Sequence, residues 1–160
     1  MTKTEDTALS QGQDIAVRPA EAADESSWRR LWAGYTEFYG ADVPEAVTAH
    51  TWRRILDPSS PVFARVAVLD GVLSGFSVSV LHEGTWTVAP ACYLEDLFVA
   101  PEARGRGVGA ALIRDLIDSA RREGWARLYW HTQTHNATAR ALYDKFCAAD
   151  DYVRYRLFLG

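Results

Sequence analysis

The stretch "PEARGRGVGAALI", residues 101–113, sets three glycines at alternate positions, Gly105, Gly107 and Gly109, among Arg104 and Arg106. An apolar run, "YLEDLFV" at 93–99, comes just before it. A helical stripe follows, with Leu112, Ile113, Leu116, Ile117 and Ala120 recurring at threes and fours before Gly124. The start of a helix leaves backbone N–H groups unpaired, and the aligned peptide dipoles add partial positive charge there. A phosphate fits that place when no Cβ blocks its approach, and glycine removes the Cβ. Strand, glycine loop and helix therefore read as a phosphate cradle.

Three cradle patterns compete. The pattern G-x-x-x-x-G-K-[ST] is absent, because no Lys-Ser or Lys-Thr follows. "GRGVGA", residues 105–110, formally matches the dinucleotide fingerprint G-x-G-x-x-G/A. That fingerprint starts where its strand ends, whereas "APEAR" separates Val99 from Gly105. It also needs an acidic residue about 20 positions later, where this chain reads "LYWHTQ". The third pattern, [Q/R]-x-x-G-x-[G/A], is met by Arg104, Gly107 and Gly109.

Outward from the loop, 92–99 and "ARLYWHTQ", 126–133, flank the helix as strands. Residues 92–133 thus form a βαβ unit with parallel strands and a right-handed crossover. Upstream, "DIAVRPA" at 14–20 reads as a first strand. A helix runs from Asp24 to about Tyr39, with Trp28, Leu31, Trp32, Tyr35 and Phe38 on one side, and a second spans 43–56 with Pro44 near its first turn. "VFARVAVL" and "VLSGFSVSVL" are joined by Asp70-Gly71, a strong hairpin signal. "HEGTW", 82–86, opens another turn. Downstream come a helix at 136–147 and a last strand, "YVRYRLFL", at 152–159. The expected fold class is mixed α/β, with antiparallel N-terminal strands, a parallel βαβ pair at the cleft and helices packed on the sheet. Residues 1–13 read as a polar, disordered tail, and 14–160 as a single domain.

The chain has 160 residues, 48% hydrophobic and 24% charged, as expected of one globular domain. A net charge of −4 argues against a general nucleic-acid or membrane-surface partner. An anionic ligand needs local help, which Arg104 and Arg106 concentrate. Cys92 and Cys147 lie in no metal or redox spacing, so no metal is expected, and free thiols point to a reducing cytoplasm. No apolar run reaches the roughly 20 residues of a membrane span. The N-terminus shows no apolar signal core.

"YLEDLFVAPEARGRGVGAALI" followed by "LYWHTQTHNATARALYDKF" resembles the GNAT superfamily of acyl-CoA-dependent N-acetyltransferases, and within it the small polyamine- and histone-type enzymes. The resemblance implies acetyl-CoA as co-substrate and a primary amine as acceptor. It implies that the pyrophosphate lies on the backbone of Arg104, Gly105, Arg106, Gly107, Val108 and Gly109, and that the cofactor runs beside Leu97, Phe98 and Val99. A backbone N–H near Leu97 would stabilise the oxyanion. The second motif, N-x-x-A-x-x-L-Y, is met by Asn136 and Tyr143. It implies contact of Asn136 with the pantetheine arm, and a place for Tyr143 beside the thioester sulfur. Asn136 also suits an ordinary helix N-cap, and Tyr143 suits core packing. One departure stands out: the family's Gly-Phe pair before the last strand is replaced by "FCAADDYVRY", which leaves the path of 146–151 open.

Acetyl transfer to an amine needs positioning, removal of a proton from the ammonium and a proton for the departing thiolate. Tyr143 suits the acid. Glu95 and Asp96 interrupt an apolar strand, and alternation sends them to opposite faces, so that one faces a cleft. Glu95 matches the position where the polyamine-acetylating relatives carry a carboxylate base acting through water; a structural ion pair is the alternative. His131 and His135 have no carboxylate at triad-like or ligand-like spacing. Trp28, Trp32, Tyr35, Tyr39 and Trp52, with Glu37, Asp42 or Glu45 nearby, either wall a cationic acceptor or pack the core. The expected protein is a cytoplasmic, homodimeric N-acetyltransferase of a small-molecule amine, with no nucleic-acid or membrane partner. The alternative is a non-catalytic acyl-CoA-binding module of the same fold.

Overall fold

The computed structural model describes residues 14–159. The expected tail, residues 1–13, lies outside the described residues, as does Gly160. The chain divides into two compact units between Trp130 and His131.

The first unit is built on a five-stranded sheet in sequential order. Its strands are β1 (Ile15–Pro19), β2 (Val62–Leu69), β3 (Val72–His82), β4 (Ala91–Val99) and β5 (Arg127–Trp130). Three helices accompany it: α1 (Glu25–Phe38), α2 (Glu45–Leu56) and α3 (Val108–Glu123). β1 to β4 pair antiparallel, and β4 pairs parallel with β5 across the α3 crossover. The Asp70-Gly71 turn closes the β2–β3 hairpin with both residues at positive φ, 50° and 82°. That geometry matches the twist of the two strands.

Neighbouring residues of β3 show how the layers form. Phe76 meets Trp28, Trp32 and Tyr35 of α1. A Cβ at the adjacent Gly75 would lie 2.9 Å from Val108 and 3.4 Å from Leu112 of α3. Successive side chains leave a strand on opposite faces, so α1 and α3 cover opposite faces of the sheet. Trp52 of α2 packs on Trp28, on the α1 side. A bidentate pair, Arg65 Nε and Nη2 to the Asp115 carboxylate at 2.6 and 2.8 Å, ties β2 to α3.

The second unit contains α4 (Ala137–Tyr143). Asn136 is its N-cap, its side-chain oxygen accepting from Ala139 N–H at 3.1 Å. The helix is shorter than the expected 136–147. No strand forms at 152–159, contrary to the alternating pattern. Tyr152, Val153, Tyr155, Leu157, Phe158 and Leu159 are all exposed. A strand needs a backbone partner as well as alternation, and among the described residues this segment joins no ladder.

Candidate active site

β4 delivers the chain into the glycine loop. After Val99 a 3-10 turn, Pro101–Ala103, leads through Arg104 to Gly105 and Gly107, at φ +73° and +89°. Gly107 is the N-cap of α3, and Ala111 N–H is the donor to its carbonyl at 2.9 Å. The N–H groups of Val108, Gly109 and Ala110 precede that first helical bond and have no carbonyl inside the helix to receive them. A 16-residue helix stands behind these donors. The positive-φ glycines and the free space around Gly105, where a Cβ would meet nothing within 4 Å, fit a pyrophosphate.

The arginines of the loop are engaged by protein groups. Arg106 Nη2 donates to Asp70 of the hairpin turn at 2.6 Å. Arg104 Nε donates to the Val99 carbonyl at 3.2 Å, and its guanidinium sits over the Phe98 ring at 5.7 Å. Arg106–Asp70 is a solvent-facing pair, of a type that contributes about 0–1 kcal/mol, so a phosphate can compete for the cation. A cleft of about 450 Å³ opens beside this junction, lined in part by Gly34, Phe38, Phe98, Ala100, Glu102 and Arg104.

The parallel ladder between β4 and β5 runs over four pairs and ends at Leu94–Trp130. On its other side β4 stays paired with β3 through Val99. Backbone groups alternate sides along a strand, so about half of those between Glu95 and Val99 face the side where the ladder has stopped. That stretch leads straight into the cradle.

The register breaks at the two carboxylates. Leu94 pairs with Ser79, yet Asp96 pairs with Val78, two steps on β4 for one on β3. Glu95 is the extra residue of a β-bulge. Ser79 and Val78 point to opposite faces, so Leu94 and Asp96 do too, although they are two apart. The simple alternation expected for Glu95 and Asp96 is corrected by this bulge, which brings Asp96 to the α1 face. There it faces the Tyr35 phenol. Burial pushes the Asp96 carboxyl up to about 6, the polar Tyr35 hydroxyl opposes that rise, and the Glu95 charge adds to it. The Tyr35 phenol is driven well above its usual range, first by burial and then by the Asp96 charge. Glu95 is exposed.

The aromatic residues of α1 and α2 separate by depth. Trp28 and Trp52 are core, at 0% and 3% exposure. Trp32 is partly buried, and its Nε1 donates to Thr48 Oγ1 at 3.1 Å. Tyr35 and Tyr39 meet edge to face with centroids 5.0 Å apart, and Tyr39 is exposed. Glu45 is held by Arg29 at 2.8 Å. The carboxylate beside the Tyr35–Tyr39 pair is Asp96, which alternation had not singled out; no residue-level signal marks a bulge in "YLEDLFV". In the second unit, Asn136 spends its side-chain oxygen on the cap of α4, and Tyr143 ends that helix, half-buried. His131 and His135 are exposed. No cluster of metal-ligating side chains occurs among the described residues.

The model of the acetyltransferase (GNAT) family matches residues 26–148. The chain is 33% identical over 144 residues to a D-amino-acid N-acetyltransferase of Saccharomyces cerevisiae, covering 89% of each. It is 30% identical over 97 residues to the thialysine N-epsilon-acetyltransferase of Caenorhabditis elegans, covering 61% of this chain and 59% of that one. Among solved structures it is similar to a probable acetyltransferase, with a TM-score of 0.80 at 23% identity over 91% of this chain and 98% of that one. It is similar also to the aminoglycoside acetyltransferase AAC(6')-Iy in complex with a bisubstrate analogue, with a TM-score of 0.76 at 21% identity over 91% and 99%. Those two structures share its fold. Cradle, truncated ladder and family match agree: the chain belongs to the GNAT family and is an N-acetyltransferase.

Proposed function

We propose that this protein transfers an acetyl group from acetyl-CoA to the primary amine of a small cationic or zwitterionic molecule by direct attack. Polyamines, amino acids and lysine-like amines form the acceptor class. The observation that carries this reading is the course of β4. It leaves its parallel ladder at Leu94, presents Glu95 and Asp96 at the next two positions and ends in the cradle. The D-amino-acid and thialysine N-acetyltransferases among the relatives support an amine on a small molecule.

When bound, acetyl-CoA supplies an acetyl group already activated as a thioester. The backbone from Arg104 to Gly109 holds its pyrophosphate, the open edge at Leu97, Phe98 and Val99 lies along its arm, and Asn136 adds a contact there. The Leu97 N–H polarises the reacting carbonyl. A lysine-like ammonium with a pKa near 10.4 costs about 4.6 kcal/mol to deprotonate at pH 7. A carboxylate of β4 takes that proton, Glu95 being the one the family motif assigns, through water. Tyr143 protonates the departing thiolate. Residues 14–160 act as one catalytic domain, a reading supported by a family match that spans both units.

The protein works in the cytoplasm as a homodimer, without nucleic-acid or membrane partners. The exposed apolar side chains of 152–159, interleaved with Arg154 and Arg156, support self-association, and the exposed Cys147 thiol supports a reducing compartment. Sedimentation should find a dimer, and deleting 152–159 should leave a monomer.

The test is free-thiol release from acetyl-CoA with spermidine, thialysine, L-lysine and D-alanine as acceptors. Turnover with at least one is expected. Tyr143→Phe should lower kcat by about 10²-fold with KM for acetyl-CoA little changed, because only the transition state loses a donor. Tight CoA binding without thiol release from any amine would leave a non-catalytic acyl-CoA-binding module.

A further inference from the structure

Toward the start of β4 the α1 face of the sheet carries a second aromatic row. Phe76, Val78, Val80 and His82 follow at alternate positions of β3, so His82 shares that face with Phe76. Val80 pairs with Tyr93 of β4, and Tyr93 pairs with Tyr129 of β5, which puts both tyrosines there too. Tyr129 is held from three sides. Tyr93 stacks on its ring with centroids 5.2 Å apart, and the Arg127 guanidinium lies over that ring at 5.0 Å. The two need opposite faces of one ring, so the three side chains form a pile. His82 fixes the hydroxyl: its Nε2 lies 2.8 Å from the Tyr129 oxygen, and its Nδ1 donates to the Glu83 carbonyl at 2.8 Å. Arg127 is exposed and, unlike Arg18, Arg29, Arg65 and Arg106, makes no ion pair among the described residues. Stacking occupies only the face of a guanidinium. Its N–H donors lie in the plane and stay available, in a fork that matches a carboxylate.

We propose that Arg127, laid flat on Tyr129, binds the carboxylate of the acceptor, so that the preferred substrate is an ω-amino acid of the lysine type rather than a polyamine. This rests on the reading of the protein as an amine acetyltransferase, and it assigns the end of the acceptor that does not react. β4 and β5 run parallel, and Tyr129 stands level with Tyr93, two residues or about 7 Å before Glu95. The guanidinium lies on the side of the Tyr129 ring away from Tyr93. A two-residue step along β4 and two ring spacings across it therefore separate the guanidinium from β4 at Glu95, roughly 12 Å in all. An α-amino group stands two bonds from its carboxylate, about 2.5 Å, and an ε-amino group six bonds, about 7 Å when extended. With a hydrogen bond of about 3 Å at each end, the ε-amine spans that gap and the α-amine falls short. The methylenes between them pass the rings of Tyr93 and Tyr129. Tyr129 and His82 are positioning residues, because they hold the guanidinium in place without touching the acceptor's carboxylate.

The test compares L-lysine with 1,5-diaminopentane, the same chain without the carboxylate, in the thiol-release assay. Wild type should favour L-lysine by at least about tenfold in kcat/KM and acetylate it on Nε, as NMR of the product reads. Arg127→Met keeps the stem and removes the charge. It should raise KM for L-lysine by at least about tenfold with kcat little changed, and leave the diamine within about twofold of wild type. The diamine thus controls for folding and for the acetyl-CoA site. Arg127→Lys, which restores the charge without the planar fork, should recover only part of the loss. An unchanged KM for L-lysine in Arg127→Met, an equal loss on both acceptors, or acetylation on Nα overturns the proposal while the acetyltransferase reading stands. So does thiol release with other amines of the panel and none with L-lysine. No thiol release from wild type with any amine fails both.

Discussion

Gly109→Val separates binding from folding at the cradle. Gly109 lies in the first turn of α3. There glycine is about 1 kcal/mol worse than alanine and valine about 0.6 kcal/mol worse, so helix propensity by itself changes stability by less than about 0.5 kcal/mol. Gly109 supplies one of the N–H groups that precede the Ala111 bond, where a pyrophosphate would lie, so any side chain there starts beside the ligand. Kd for CoA should rise at least about tenfold, or about 1.4 kcal/mol. Gly107→Ala behaves differently. At φ +89° an alanine is strained by about 1–2 kcal/mol, although its Cβ meets only Ile15 Cδ1 at an ordinary 3.7 Å. It should therefore lower Tm before any ligand is added, by about 2–8 °C for a chain of this length. Thermal melts with and without CoA, backed by calorimetry, read both effects. At a CoA concentration 100 times the wild-type Kd, bound ligand adds about 2.7 kcal/mol. A tenfold weaker variant retains about 1.4 kcal/mol, so the CoA-induced rise in Tm should fall by about half in Gly109→Val. Wild-type CoA affinity in Gly109→Val would refute the cradle outright. A Gly107→Ala protein as stable as wild type would refute the strained geometry of the cap.

Asp96→Asn should stabilise the protein at neutral pH. The folded carboxyl sits at about 6, above its unfolded value near 3.9, so its contribution is full below pH 4 and lost as pH rises through 6. Urea melts at pH 7 should favour the variant by about 2–3 kcal/mol, and equal stabilities at pH 7 would contradict the buried setting. Asp24 carries the opposite sign. Arg18, at 2.7 and 2.8 Å, holds its carboxyl below the usual range, so its contribution is full above about pH 4 and is lost as pH falls below that. Arg18→Met should flatten the acid limb of stability, and an unchanged limb would show that the pair adds nothing. Gly75→Ala should destabilise by about 1–3 kcal/mol, since its Cβ would stand 2.9 Å from Val108 and 3.0 Å from the Phe98 carbonyl. A wild-type urea midpoint would mean that α3 yields at that contact.

Local chemistry made much of this protein legible before any coordinates. The periods of α1 and α3, the Asp70-Gly71 hairpin, the glycine cap at Gly124 and the cradle itself each depend on residues close in sequence. The motifs around Gly105–Gly109 and Asn136–Tyr143 named the family for the same reason. Tertiary pairing decided the rest. The bulge at Glu95 comes from the register of β4 against β3, and "YLEDLFV" alone reads as unbroken alternation. The partnership of Asp96 with Tyr35, 61 positions away in the sequence, follows from that bulge and from α1 packing on the sheet. The core fates of Trp28 and Trp52, against the open edge of Tyr39, depend on how deeply each helix face sinks, and helical period does not encode depth. The alternating "YVRYRLFL" forms no strand, because alternation describes one side of a ladder and the other side must be supplied by a different stretch of chain.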